Sequence, residues 1–298
     1  GDNPVPENAE MIPLAKLFKI KIALMAALSA ATGYLLTGQP AGWDLLLPTL
    51  ATLVLACGSA ALNECQEREL DARMERTRNR PIPSGWISPR TAAWVAAGLI
   101  LAGLSSLAIG AGWLTAALGA LAVIWYNAIY TPLKRRTPFA AVIGAPVGAI
   151  PPAVGWVAGG GDLRSPAILG LMAFLFLWQV PHFWLLLLAR REEYEQAGLP
   201  GPTSLFGPAQ LRRITFAWTM AMAVVSLGFP VFGIARHPLA FALILLITLH
   251  QAIRATVLLR AESEARPVLV SLFNRLNAHT LLVLLVIALS SGFSNWTT

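Results

Sequence analysis

Apolar residues run along this chain in long blocks, and the polar residues gather between them. Nine blocks are predicted, near 18–37, 44–62, 91–109, 113–130, 139–158, 166–189, 214–234, 238–258 and 277–293. A run of roughly 18 or more mostly apolar residues is long enough to cross the hydrocarbon core of a bilayer as a helix. Unpaired backbone groups are not tolerated in lipid, so the blocks should be α-helical; no alternating pattern of a membrane barrel is present. The expected fold is therefore all-α, a polytopic bundle of about nine spans around a central cavity. Trp, Asn and several Pro residues within 113–130 and 139–158 leave the limits of those two spans open by several residues.

Between the blocks the polar segments are unequal. Residues 63–90 and 190–213 are long, and a linker that only joins antiparallel helices needs few residues. Each begins with acidic residues at the end of an apolar span and then reaches a Pro- and Gly-containing stretch, which suggests two related halves facing one another. Residues 1–12 read as a polar mobile tail, and 13–298 as a single transmembrane domain. No cleavable signal peptide is expected before the first span, because the charged, apolar and small-residue succession is missing.

Composition agrees with this pattern: 56% of the 298 residues are hydrophobic and 12% charged, more apolar surface than one soluble core hides. Of the 22 Lys and Arg residues, only Arg164 and Arg236 fall in alternate loops; the others lie in the first tail and in every second loop. The positive-inside rule then predicts a cytoplasmic N-terminus and, with nine spans, an external C-terminus. The net charge of +7 is spread over membrane-proximal loops with no soluble domain between them, so anionic headgroups or an anionic substrate fit and nucleic acid does not. Cys57 and Cys65 have neither a disulfide framework nor finger spacing.

The chemistry concentrates at the end of the second block. Asn63, Glu67 and Asp71 are four residues apart, on one face of a helix continuing out of the span. Carboxylates and an amide oxygen are hard donors suited to Mg²⁺, which is usually held by one or two carboxylates together with substrate phosphates. A solvated helix end carrying local ion pairs is the competing reading. The run that follows carries Arg73, Arg76, Arg78 and Arg80, guanidiniums of the kind that grip a diphosphate, although a positive-inside loop alone explains the charge.

The order N-x-x-x-(D/E)-x-x-x-D followed by R-T-x-x-R-P-x-x-x-G resembles the first aspartate-rich motif of the UbiA superfamily of intramembrane prenyltransferases, and DARMERTRNRPIPSG resembles its heme-directed branch. Tyr130 to Thr137 (YTPLKRRT), the stretch from Gly148 to Trp156 and the segment from Trp178 to Trp184 (WQVPHFW) are similar to further motifs of that branch. The resemblance implies an enzyme that transfers a farnesyl group from farnesyl diphosphate to a vinyl group of heme B, with Mg²⁺ as cofactor. It also implies a multi-pass protein of the plasma membrane working beside a downstream heme A synthase or oxidase assembly factors. Glu67 replaces the more usual Asp, Glu192 and Glu193 replace Asp residues before Tyr194, and 198–203 departs from the usual wording. On this reading Asn63, Glu67, Asp71, Glu192 and Glu193 bind metal, and Arg73, Arg76, Arg80, Lys134 and Arg135 bind diphosphate. Tyr126 and Tyr130 would face an allylic cation, and His182, deep in an apolar block, is a functional candidate. A transferase for an aromatic or quinone precursor, or a non-catalytic heme-handling protein, stays open. His237 reads as a surface residue, His250 and His279 as packing residues, and Trp86, Trp113 and Trp296 as interfacial belts.

Overall fold

The computed structural model describes residues 13–260 and 265–293; the tail expected over 1–12 and Trp296 lie outside them. Among the described residues the chain is helical, without β-strands. We number the principal helices α1 (Ile20–Leu36), α2 (Trp43–Arg73), α3 (Pro89–Ala111), α4 (Trp113–Ile124), α5 (Pro146–Ala158), α6 (Pro166–Ala189), α7 (Arg191–Gln196), α8 (Pro208–Leu227), α9 (Pro238–Ala255) and α10 (Arg266–Phe293).

Each of the nine expected blocks is largely helical, but among the described residues only seven helices are long and apolar enough to cross a membrane. α1, with 17 residues, rises about 26 Å at about 1.5 Å per residue, slightly less than a hydrocarbon core of about 30 Å. α8 is not among the seven, and its first turns carry Gln210, Arg212 and Arg213. Large apolar side chains such as Trp43, Trp94, Ile109 and Trp113 remain exposed on the outer surface, as expected of helices whose solvent is lipid. The molecule is a multi-pass membrane protein.

Local sequence explains where the helices start. Ser88 and Ser165 cap α3 and α6, accepting from the backbone N–H groups of Thr91 and Ala167, with Pro in the first turn of each helix. The two blocks whose limits were open are irregular. α4 passes into a π-turn at Trp125–Tyr130, and a short helix at Ala140–Gly144 precedes α5. α1 and α5 cross with backbones nearly touching: a Cβ at Gly155 would lie 1.7 Å from the Ala30 carbonyl oxygen, and one at Gly33 would lie 2.0 Å from that of Pro152. Small residues permit that approach where helices pack without a hydrophobic drive from water. The largest apolar core joins α5, α6, α8, α9 and α10 around Ile168, Leu171, Phe174 and Phe229, leaving the polar end of α2 beside α4, α6 and α7.

Candidate active site

α2 runs 31 residues without a break, so Asn63, Glu67 and Asp71 share one face, and that face is buried. Asn63 is fully inaccessible, while Glu67 and Asp71 are each 3% exposed. This removes the solvated helix-end reading, because buried charges need partners. Each group has one. The Lys134 ammonium donates to Glu67 Oε1 at 2.8 Å, and the Arg80 guanidinium to Asp71 Oδ2 at 2.7 Å. Asn63 donates from Nδ2 to Thr131 Oγ1 at 2.8 Å, and its Oδ1 accepts from Lys19 Nζ. Like charges stacked on one helix face repel one another, and here the two acids are interleaved with cations.

Lys134 lies just past the π-turn and 5.0 Å from the centre of the Tyr130 ring. Burial disfavours its ammonium, but the Glu67 carboxylate, Tyr130 and Tyr126 outweigh that cost and hold its pKa above the ordinary lysine value. The π-turn is itself tied to α2. Gln66 donates to the Asn127 carbonyl at 3.1 Å, Asn127 Nδ2 donates to Ser59 at 2.6 Å, and Thr131 donates to the Tyr126 carbonyl at 2.8 Å. These bonds satisfy a widened turn, a feature frequent at functional sites, and they hold Tyr126, Tyr130 and Lys134 toward Glu67.

A cavity of about 120 Å³ opens against this face. Its wall includes Lys19, Glu67, Asp71, Arg76, Arg80, Lys134 and Tyr130, with Phe183, Trp184 and Leu187 of α6 on the apolar side and Tyr194 of α7 at the rim. From there an aromatic arc runs inward. Ring centres are 5.8 Å apart for Tyr126 and Tyr130, 5.6 Å for Tyr130 and Phe183, 5.4 Å for Phe183 and His182, and 4.7 Å for His182 and Phe273. His182 Nδ1 lies 2.7 Å from Asn277 Oδ1 on α10.

Other expected residues stand elsewhere. Arg73 and Arg135 are off the cavity wall; Arg73 is exposed and Arg135 donates to the Gln66 carbonyl at 3.0 Å. His182 is off the wall too, behind Phe183, as are Asn63 and Tyr126. Glu192 is exposed, and Glu193 accepts from the Arg76 backbone N–H at 2.9 Å and pairs with Arg190 at 3.4 Å. No group of three His, Cys, Asp or Glu side chains converges on one point among the described residues, so the second acidic cluster does not meet the first there. One Glu193 oxygen ties its segment to the loop carrying Arg76, and the other pairs within its own segment. Lys19 was not distinguishable from the other basic residues before the first span, yet it reaches Asn63 and, at 3.4 Å, the Tyr126 hydroxyl. Its left-handed backbone, φ 45°, is uncommon for a residue with a Cβ and was a conformational signal absent from the sequence pattern.

The model of the UbiA prenyltransferase family matches residues 23–278. A protoheme IX farnesyltransferase of Oleidesulfovibrio alaskensis is 41% identical over 218 residues, covering 73% of this chain and 77% of that relative. One of Geobacter sulfurreducens is 41% identical over 227 residues, covering 75% and 83%. Among solved structures, a digeranylgeranylglyceryl phosphate synthase superposes with a TM-score of 0.75 at 16% identity, covering 95% of this chain and 99% of that one. A UbiA homologue of Archaeoglobus fulgidus bound to GPP and Mg²⁺ gives 0.69 at 15% identity, covering 94% and 99%. Those structural likenesses establish the shared fold, and with the family match and the relatives' identity they show that this chain belongs to the UbiA prenyltransferase family.

Proposed function

We propose that this chain transfers a farnesyl group from farnesyl diphosphate to a vinyl group of heme B, giving heme O. The observation that carries the reading is the buried face of Glu67 and Asp71, alternating with Lys134 and Arg80 on a cavity that continues into an aromatic arc. The names of the relatives supply the acceptor. The donor set fits Mg²⁺: two buried carboxylates and an amide oxygen on one helix face are hard ligands, too few to cage the ion and therefore suited to share it with phosphate oxygens. Glu67 and Asp71 would hold it, joined by Asn63 once its amide oxygen is released from Lys19, and when bound with the diphosphate it offsets the charge of the leaving group. Glu193 would have to release Arg76 before joining them.

Arg80, Arg76, Lys134 and Lys19 bind the remaining diphosphate oxygens, with Arg forks oriented and Lys as point charges. Held there, the allylic C–O bond ionises, with its electron pair leaving on the diphosphate. The Tyr130 and Tyr126 faces stabilise the farnesyl cation. The vinyl π pair attacks C1 of the farnesyl cation and forms the new C–C bond. Water captures the resulting carbocation next to the heme ring and loses a proton to solvent, leaving the hydroxyl. Phe183, Trp184 and Leu187 keep water from the allylic carbon before that step. His182 lies toward the inner end of the arc, beside Phe273, where the acceptor would be met.

Residence in the plasma membrane, a cytoplasmic N-terminus and hand-over to a downstream heme A synthase or oxidase assembly factor belong to the same proposal. The basic loops and the cavity share one end of the bundle, which supports that orientation. Purified protein given heme B, farnesyl diphosphate and Mg²⁺ should yield heme O by mass spectrometry. Prenylation of 4-hydroxybenzoate instead of heme would assign the chain to another acceptor.

A further inference from the structure

Glu64 is buried to 0% exposure on α2, three residues before Glu67 and seven before Asp71, yet it is not on the cavity wall. Its Oε1 accepts from the Ile82 backbone N–H at 3.0 Å, while its Oε2 is buried without a hydrogen-bond partner. An apolar cluster of Leu17, Ala61, Cys65 and Ile82 packs beside it, with the charges of Arg80, Lys19 and Asp71 within electrostatic reach. A carboxylate in such a place is costly unless it is used.

The donor is as particular as the acceptor. Ile82 stands between Pro81 and Pro83, neither of which has a backbone N–H, so across these three residues it is the one amide able to fasten the loop. Arg80 lies two residues earlier, and its guanidinium reaches Asp71 on the cavity wall. On the other side of Arg80, Thr77 donates to the Asp71 carbonyl at 2.9 Å. The segment carrying Arg80 is therefore pinned to α2 before and after the arginine.

We infer that Glu64 is a positioning residue, whose bond to the Ile82 amide sets where Arg80 meets the diphosphate of the prenyl donor. The inference rests on the function proposed above. A loop free at Ile82 spreads Arg80 over more conformations, and the lost preorganisation appears as weaker donor binding.

The test uses the full chain in detergent, titrated calorimetrically with farnesyl thiodiphosphate and Mg²⁺, together with steady-state kinetics. Glu64→Met, close in volume, should weaken binding about tenfold, the scale of one lost hydrogen bond to a charged group, raising KM for farnesyl diphosphate with kcat near wild type. Glu64→Gln keeps an acceptor oxygen and should restore affinity. In an Arg80→Ala background Glu64→Met should add no further loss, because the group it positions is gone. Where Glu64→Met does not fold, Ile82→Pro removes the bond from the donor side and carries the same expectation. Unchanged affinity in a folded Glu64→Met, no rescue by Gln, or losses that multiply with Arg80→Ala would overturn the inference. Wild-type protein that is folded but does not bind the analogue would refute the diphosphate site itself.

Discussion

At the scale of single residues, the ion pairs on α2 neutralise buried charge on the cavity wall. Glu67 and Asp71 are buried, and removing the partner of a buried charge is strongly destabilising, about 3–5 kcal/mol in soluble proteins. Lys134→Met should therefore lower the thermal unfolding midpoint as well as activity, whereas Lys134→Arg should keep most stability and lose activity. A Lys134→Met protein with unchanged midpoint would show that Glu67 finds another partner. Asp71→Ala removes a carboxylate but leaves Arg80 able to turn to the cavity, so heme O formation should vanish while the protein still elutes as a folded species in detergent. Near-normal turnover at saturating Mg²⁺ would refute its metal role. Lys19→Met should raise KM for farnesyl diphosphate more than it lowers kcat, since its ammonium sits at the cavity edge through Asn63. Asn63, Glu67 and Asp71 were legible from their spacing together with the motif they resemble. Lys19 was not: its partner is 44 residues away in sequence, and its charge resembles any other before a first span.

At the scale of elements, the π-turn at Trp125–Tyr130 positions Tyr126 and Tyr130. It was visible in sequence only as a span of irregular composition, because Tyr, Asn and Trp do not specify a widened turn. What stabilises it is tertiary, through Gln66 and Ser59 of α2. Deleting Ala128 should close the turn to ordinary α geometry, in which one residue fewer takes up the same rotation, and withdraw the carbonyls that Gln66 and Thr131 bond, loosening the hold on Tyr130 and Lys134. Binding of farnesyl thiodiphosphate should then be lost while helix content by circular dichroism persists; retained binding would show that the turn is not needed. The α1–α5 crossing makes a contrasting prediction. Gly155→Val sets side-chain atoms against the Ala30 backbone and should destabilise by about 1–3 kcal/mol or more, read as a lower unfolding midpoint. The second acidic cluster is held differently: the resemblance implied ligands at Glu192 and Glu193, while Glu193 is engaged by the Arg76 amide and Arg190.

At the scale of the whole molecule, one end of the bundle carries the basic loops and the cavity, and the other end is nearly free of Lys and Arg. Single cysteines at Arg136 and Gln196 should label with a membrane-impermeant maleimide only in inside-out vesicles, and one at Gly160 only in right-side-out vesicles. The reverse pattern would invert the proposed topology. Cys57 and Cys65 are buried, so background labelling should be low. The all-helical membrane fold and the shared face of the motif residues on α2 were determined by sequence alone, because hydrophobic block length and four-residue spacing act locally along a helix. Which cations neutralise that face, which aromatic rings continue it and which acidic cluster stays out of it were decided only by the tertiary structure. Those choices depend on contacts between helices far apart in sequence, and neither periodicity nor composition encodes where a distant side chain is brought.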